Sequence, residues 1–406
     1  MNNYEKEKRY IFICWLAYAV AYVGRLNYAA SIVAIVGDMG VTKSQAGLVS
    51  SFFFFAYGVG QIVNGILSKK YNNRVMVFLS LFISACLNVS MPLIGNISVM
   101  KYIWLLNGVV QSVLWCTLIK TISIHVSDEK MSTAIVVMST PVAAGTIVVY
   151  GLSALFVKIA DWRYTFFVAA AMLLITAFVW FALYGDGRGD VNFTVPSSEE
   201  NDSEKKSSGI SAATVMCLVS FALVGITNGF IKDGINTWGA SVFFEEFGIS
   251  RSFSILLTLL MPMVSLVGAT FVARIHKKIS SHSLMDLIFY AISAAVCLVI
   301  LFALKVHSLP LVIVTFVAVA CLMSMVNNVV TSVYPLDRRK IMSSGFVSGF
   351  LNSFCYVGST VTSYSLGAIS QNHGWNGAFV VIFAVSALAV VLSAAGVITE
   401  RKEAAL

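Results

Sequence analysis

Two basic residues differ from the others because they lie deep within long apolar segments. Arg25 lies near the middle of the first apolar segment, and Lys232 lies deep in the seventh. A charge in hydrocarbon costs roughly 3 kcal/mol or more, so such a residue normally faces a partner or a water-filled cavity. Arginine offers a flat bidentate fork and lysine a compact charge. The pair is therefore suited to clamping an anion between them.

Each cation also has an alternative explanation. Arg25 could be a structural residue whose charge is satisfied by carbonyl groups and tyrosine hydroxyls. We favour the hypothesis that it binds a ligand. Lys232, instead of binding a ligand, could form a local ion pair with Asp233 or extend its side chain to the membrane interface. Adjacent helical residues point about 100° apart, so we expect no direct pairing of Lys232 with Asp233 on one face.

Other titratable groups are sparse inside the apolar segments. Lys120 lies near the end of the fourth segment, where we expect a structural or gating contact. Asp233 is the one deeply placed carboxylate that the sequence offers, whereas proton-driven carriers commonly use a buried carboxylate as a switch. The excess of buried positive charge therefore favours anion exchange or facilitated anion transport.

The sequence contains no motif that predicts an enzyme. A nucleophile elbow, a zinc-ligand spacing, a P-loop and a dinucleotide fingerprint are all missing from the contexts that would confirm them. The five histidines fall at predicted helix ends or loops, and the seven cysteines fall in apolar segments and are expected to be small core residues. We therefore expect no catalysis, no cofactor and no metal.

The composition predicts a membrane protein. The chain has 406 residues, of which 58% are hydrophobic and 11% charged, against a charged share of about 25% in soluble domains. A membrane span needs about 20 apolar residues. The apolar runs predict twelve spans at about 10–36, 46–68, 75–97, 101–126, 131–159, 163–185, 212–243, 251–274, 283–304, 308–333, 341–370 and 375–398.

The twelve spans fall into two sets of six. A polar stretch predicts a cytoplasmic linker at 186–211 between an N-terminal bundle, 1–185, and a C-terminal bundle, 212–406. Matching motifs, Trp162 to Phe166 and Trp375 to Phe379, open the sixth and twelfth spans. Six spans, a linker and six similar spans favour an all-α membrane protein with the major facilitator architecture.

Charge placement predicts the orientation of the chain. The net charge is +8, but its basic residues form short clusters between apolar runs, which argues against binding of nucleic acid. By the positive-inside rule both termini and the linker are cytoplasmic, in the inner membrane of a bacterial-type cell. The basic residues on that side include Lys69, Lys70, Arg74, Lys130, Arg188, Lys205, Lys206, Arg274, Lys277, Lys278, Arg338, Arg339 and Lys340.

Motifs near both cations carry a resemblance to a known family. They are Tyr22 to Tyr28 in span one, Ala56-Tyr57-Gly58 with Gly65 and Ser68 in span two, Gln111, Trp115 and Lys120 in span four, Lys232 to Trp238 in span seven, and Gly345, Gly349-Phe350 and Tyr356-Val357-Gly358 in span eleven. Together they resemble the organophosphate:phosphate antiporter family, which includes glycerol-3-phosphate and hexose-phosphate transporters. The resemblance covers nearly the whole chain.

The resemblance implies a phosphate group held between Arg25 and Lys232. Three positions depart from the family's pattern: Gln61 replaces a lysine, Val142 replaces a histidine, and Lys232 replaces an arginine. The resulting pocket is less basic than a dianionic phosphate favours. The full set of predicted substrate-binding residues is Arg25, Lys232, Tyr18, Tyr22, Tyr57, Gln61, Trp115, Asn228, Asn236, Trp238 and Tyr356.

The predicted function is alternating-access transport of a small organic anion, a phosphorylated metabolite or a carboxylate, by a monomer in the bilayer. Two alternatives stay open. A multidrug exporter of cations is expected to bury acidic groups, whereas the buried charges here are basic. The second alternative is a sugar-phosphate sensor that signals without transporting, since sensors occur among relatives of the hexose-phosphate carriers.

The orientation can be tested by labelling. A single cysteine placed at Ser203 of an otherwise cysteine-free chain is expected to react with a membrane-impermeant thiol reagent in inverted vesicles, because charge asymmetry puts this segment inside. A cysteine at Ser98, in the predicted external loop between the third and fourth spans, serves as the control and should react in intact cells. Labelling of the Ser203 position from outside intact cells contradicts the topology.

Overall fold

A computed structural model describes residues 3–67, 72–185, 212–338 and 344–404 of the chain. The regular secondary structure of these residues is helical. No strand occurs in these ranges. Helices satisfy every backbone hydrogen bond within one segment, which hydrocarbon requires because it offers no water as a partner. The predicted linker at 186–211 lies outside the described residues.

The described residues form fifteen α-helices and one π-helical turn. In chain order they are α1 (Asn3–Met39), α2 (Lys43–Leu67), α3 (Asn73–Leu93), α4 (Ile97–Ser112), α5 (Leu114–His125), α6 (Asp128–Met138), α7 (Pro141–Ile159), α8 (Arg163–Leu183), α9 (Ala212–Phe247), α10 (Arg251–Thr258), α11 (Leu260–His276), α12 (His282–Lys305), α13 (Leu309–Asn328), the π turn (Val329–Val333), α14 (Tyr334–Asp337) and α15 (Ser344–Ala404).

Ten helical segments in the described ranges are long and apolar enough to cross a membrane, by length and composition. Some of these segments join consecutive helices, as Ile97–His125 joins α4 and α5. The longest, Phe346–Lys402, contains Gly374 in a non-helical conformation (φ 68°, ψ 178°), so two helices meet there and cover the two last predicted spans. Helices α10 and α11 follow each other and cover the eighth. Described helices therefore overlap all twelve predicted ranges, while ten satisfy the length requirement as single segments.

Local residues explain where several helices begin and end. The side chains of Asn72 and Asn96 accept hydrogen bonds from the backbone N–H groups of Val75 (3.2 Å) and Ser98 (2.8 Å), which caps α3 and α4. Gly40, with φ 61°, follows the last residue of α1. A left-handed residue after the last helical turn ends a helix, and glycine adopts that conformation without strain.

Helices from before residue 185 and after residue 212 meet along an outer seam, formed by α1, α2 and α7 on one side and α9, α10 and α15 on the other. Ser51 donates to the carbonyl of Thr360 (2.6 Å) and Ser252 donates to that of Ala154 (2.6 Å). Lys43 and Glu245 form an ion pair at 2.7 Å. These contacts extend to the end of the molecule opposite the N-terminus, where the two sets of helices are closed against each other.

The sequence led us to expect all seven cysteines in the core, but not all of them lie there. Cys14, Cys217, Cys297 and Cys355 are buried, but Cys86 is exposed on α3. Cys86 lies in an apolar segment because that face of the helix is turned outward, towards the position of lipid. An outward-facing residue and a core residue are equally apolar in a membrane protein, so composition did not distinguish them.

Two glycines allow α9 and α15 to cross with their backbones in contact. A methyl carbon at Gly358 would overlap the carbonyl oxygen of Ile226, and one at Gly229 would overlap the carbonyl oxygen of Cys355. Backbone atoms cannot move aside as the end of a flexible side chain can. Small residues at such crossings allow close packing of membrane helices, which is the main source of their association.

Gly358→Ala is therefore expected to lower the stability of the protein by about 1–3 kcal/mol, as overpacking does. Gly151→Ala is the matched control, because the added methyl group meets no atom within 4 Å and alanine is the better helix former. Thermal unfolding of both variants in detergent measures the effect. A Gly358→Ala melting temperature at or above that of Gly151→Ala contradicts the packing.

Candidate functional site

Arg25 lies in α1 with 4% of its surface exposed. Its Nε donates a hydrogen bond to Oε1 of Gln111 (3.1 Å), and its guanidinium carbon lies 4.1 Å from the ring centre of Tyr57 and 4.4 Å from that of Tyr22. Nη2 is buried and has no hydrogen-bond partner in the described ranges, where no carboxylate lies within ion-pair distance either. The protein orients this cation with neutral groups and leaves one of its donors free.

A polar network between helices holds Gln111 in position. The Gln111 amide donates to Ser84 (2.9 Å), and Ser84 donates to Asn107 (2.7 Å). Asn107 and Asn88 both donate to the carbonyl oxygen of Gly24, each at 3.1 Å. The network joins α1, α3 and α4 around the residue that precedes Arg25. A fully satisfied buried network rigidifies its surroundings, so the direction of the guanidinium is set by the scaffold.

Aromatic rings surround the two faces of this cation. Tyr18 lies 5.2 Å from Tyr22 and 4.8 Å from Trp115, measured between ring centres. Tyr57 lies 4.8 Å from Tyr356 on α15, so the aromatic group extends across from α2 to the other set of helices. Cation–π contacts are worth up to about 2 kcal/mol when desolvated. These rings stabilise the guanidinium without neutralising it.

Gln61 links the same two helices. Its amide nitrogen donates to the hydroxyl of Tyr57 (3.0 Å), and its carbonyl oxygen accepts from the amide of Asn352 on α15 (2.6 Å). Both ends of the Gln61 side chain are therefore engaged. A lysine at this position would add a charge where the chain has a neutral bridge.

Lys232 lies in the interior of α9, yet 27% of its side chain is exposed. Its neighbours Ile231 and Gly234 are buried. Nζ lies 3.9 Å from Oδ1 of Asp233, and Oδ2 of Asp233 accepts a hydrogen bond from the hydroxyl of Ser359. Our expectation that Lys232 and Asp233 do not pair was wrong, because their charged groups lie within ion-pair distance although the two residues are adjacent on the helix.

The charges of the two sites do not cancel. Arg25 and Lys232 each carry a positive charge, and Asp233 carries a negative one, which leaves one net positive charge among these three groups. Tyr356 and Ser359 lie one turn apart on α15 and contact Tyr57 and Asp233 respectively. Helix α15 therefore connects the surroundings of the two cations.

The remaining predicted residues are more strongly held by packing. Trp238 is 1% exposed and donates its indole N–H to the carbonyl of Ser363 (3.1 Å), so it is part of the contact between α9 and α15. Asn228 is fully buried and donates to the carbonyl of Met323 (2.8 Å), while its Oδ1 has no partner in the described ranges. Asn236 is half-buried, and its backbone carbonyl accepts from Tyr150 (3.1 Å).

Sequence reasoning missed Asp286. It lies in the second turn of α12, is fully buried, and neither carboxylate oxygen has a hydrogen-bond donor in the described ranges. The position falls near the start of the predicted span 283–304, where acidic residues are ordinarily solvated. The burial arises because neighbouring helices cover the start of α12, which no local pattern reveals.

Comparison with known proteins gives the family of the chain. Residues 14–344 match the profile described as Major Facilitator Superfamily. The chain belongs to the major facilitator superfamily. The chain is similar to a "Probable hexose phosphate transport protein" of Chlamydia trachomatis, with 21% identity over 95% of this chain and 89% of that protein. A glycerol-3-phosphate transporter of Bacillus subtilis is 23% identical over 96% of this chain and 92% of that protein.

Solved structures support the same fold. A crystal structure of a bacterial homologue of the human lysosomal transporter Spinster, in an inward-facing and unoccupied conformation, superposes with a TM-score of 0.77. It is 13% identical and covers 98% of both chains. The predicted major facilitator fold and the resemblance to organophosphate carriers are confirmed. The chain is thus a multi-pass membrane transporter and not an enzyme.

Proposed function

We propose that the chain is a secondary transporter of a small organic anion, either a phosphorylated metabolite or a carboxylate. The anion binds between Arg25 and Lys232. The observation that carries the proposal is the pair of incompletely neutralised cations, one with a free buried donor and one partly exposed in the interior of a membrane helix. Such groups face a watery cavity or a ligand.

Alternating access follows from the arrangement of the two sets of helices. Residues 1–185 and 212–406 form the two bundles, and they rock about the site while the outer seam opens and closes. The bridge from Tyr57 through Gln61 to Asn352 joins the bundles beside Arg25. The one hydrogen bond that crosses between the bundles, from Asn352 to Gln61, is neutral and worth about 1 kcal/mol net, so it can break during transport.

The charge of the site refines the substrate. The relatives named above handle hexose phosphate and glycerol-3-phosphate, which supports a phosphate ester. One net positive charge among Arg25, Lys232 and Asp233 balances a monoanion better than a dianion, which keeps a carboxylate as a second candidate. Each chain contains both cations, so a monomer suffices, with both termini on the cytoplasmic side of the inner membrane.

Removing either cation is expected to abolish transport without unfolding the protein. Arg25→Ala and Lys232→Ala each remove one of the two charges that hold the anion, and Lys232→Arg should be milder because the charge is retained. Counterflow of a radiolabelled substrate in proteoliposomes measures transport, and size-exclusion elution measures folding. Lys305→Ala, which removes a cation at the exposed end of α12, is the matched control and should transport normally.

A purely structural role for either cation predicts a different result. Activity of Arg25→Ala or Lys232→Ala would then be lost only in proportion to the misfolded fraction. Equal specific activity of the folded mutant and the wild type refutes the binding role.

The ranking of substrates tests the charge argument. A monoanionic or carboxylate-bearing solute is expected to compete better than glycerol-3-phosphate, because Gln61 and Val142 replace basic or protonatable groups. A close charge pair is worth about 4 kcal/mol at an effective dielectric of about 20, so a missing lysine weakens a dianion most. Counterflow is measured with sugar phosphates, inorganic phosphate, mono- and dicarboxylates and cationic drugs.

Each outcome separates the alternatives. A selective response to a phosphate ester means that Arg25 and Lys232 suffice for a dianion. A response to cations alone rules out the anion carrier in favour of an exporter. Tight binding of a sugar phosphate without any flux identifies a sensor.

A further inference from the structure

A second cluster of titratable side chains lies away from the two cations, where four helix ends meet. His276 ends α11, His282 begins α12, Asp337 ends α14, and Glu400 lies in the last turns of α15. The Nε2 atoms of His276 and His282 lie 3.0 Å and 2.8 Å from the same oxygen, Oδ2 of Asp337. The three atoms lie within 4.8 Å of one another.

Glu400 fixes the tautomer of His282. Its oxygens accept hydrogen bonds from the backbone N–H groups of His282 (3.1 Å) and Ser283 (3.0 Å) and from the hydroxyl of Ser281 (2.7 Å). A carboxylate surrounded by donors is ionised and accepts only. Nδ1 of His282, 2.8 Å from Oε1 of Glu400, must therefore carry the proton and donate it.

This assignment leaves a lone pair on Nε2 of neutral His282, directed at Oδ2 of Asp337. Two lone pairs at 2.8 Å repel each other, so a cation has to lie between the two atoms. The cation is either a proton, carried by His282 or by Asp337, or a metal ion. His276 presents its own Nε2 to the same point, which gives three donor atoms from three separate helices.

We propose that His276, His282 and Asp337 bind a divalent metal ion of the zinc type. Two imidazoles and one carboxylate are a common zinc donor set, with bonds of about 2.0–2.2 Å and a water in an open position. A carboxylate that accepts from the other nitrogen of a ligating histidine orients it, and Glu400 does so for His282. Asp337 and Glu400 also supply two negative charges that balance a divalent ion.

Two of the three separations fit an ion after a small adjustment. Ligand atoms about 3.3 Å apart surround a tetrahedral ion at these bond lengths, so the present 2.8 Å and 3.0 Å must open by a few tenths of an ångström. The two histidine nitrogens lie within 4.8 Å of each other and must come to the same spacing when the ion binds. Asp337 is 46% exposed and can move by this amount, and it provides access from water. No zinc-ligand spacing is visible in the sequence, because the acidic ligand lies on a different helix, far along the chain.

Zinc binding by the whole purified protein tests the proposal. The protein carries a tag without histidine, is treated with a chelator, and is then titrated with zinc sulfate by calorimetry and by elemental analysis of the retained metal. We expect about one zinc per chain, and binding at least about tenfold weaker in His276→Gln and Asp337→Asn. His373→Gln, which removes an exposed histidine outside the cluster, should bind as the wild type does.

Melting temperatures without metal establish that each variant is folded, and Asp337→Asn decides the test if His276→Gln does not fold. Zinc that raises the melting temperature of the wild type and of His373→Gln, but not of Asp337→Asn, supports the site. Binding that is absent from the wild type, or equal in wild type and Asp337→Asn, overturns it. The cation between His282 and Asp337 is then a proton. Neither result depends on transport activity.

Discussion

The buried charge of Arg25 is the constraint on which the N-terminal helices depend. A guanidinium inside the membrane must be stabilised, but a carboxylate beside it would occupy the donors that a substrate needs. The chain meets both requirements with neutral partners: the amide of Gln111, the rings of Tyr22 and Tyr57, and the network below them. Neutral groups are easily buried when their hydrogen bonds are complete. They orient the cation and leave its charge in place.

Sequence patterns were sufficient to predict the helices and the positions of two cations within them. Apolar runs of spanning length are visible without any tertiary information, and a charge inside such a run stands out because of its cost. Arg25 and Lys232 were found in this way. Gln111 came from the resemblance to a family, since a single amide in an apolar helix is otherwise unremarked.

Contacts between helices that are distant in the sequence could not be predicted from it. Ser84 and Asn107 resemble ordinary small polar residues, and their role depends on α3 and α4 meeting α1 at Gly24. Trp238 belongs to a strong sequence motif, yet its indole N–H donates to a backbone carbonyl of α15 and contributes to helix packing. Asp286 was not singled out, because it lies near the start of a predicted span, yet it is fully buried. Helix packing decides each case, and the amphipathic signal that predicts packing in water is missing in lipid.

The outer seam has a consequence for the speed of conformational exchange. Backbone carbonyls of Thr360 and Ala154 accept two of its bonds, and Lys43 with Glu245 adds one partly exposed ion pair. Each is worth about 1 kcal/mol or less. A closure built from many weak bonds can separate stepwise, with a small barrier at each step. The same closure made by one buried ion pair would open in a single costly event and would trap the protein in one state.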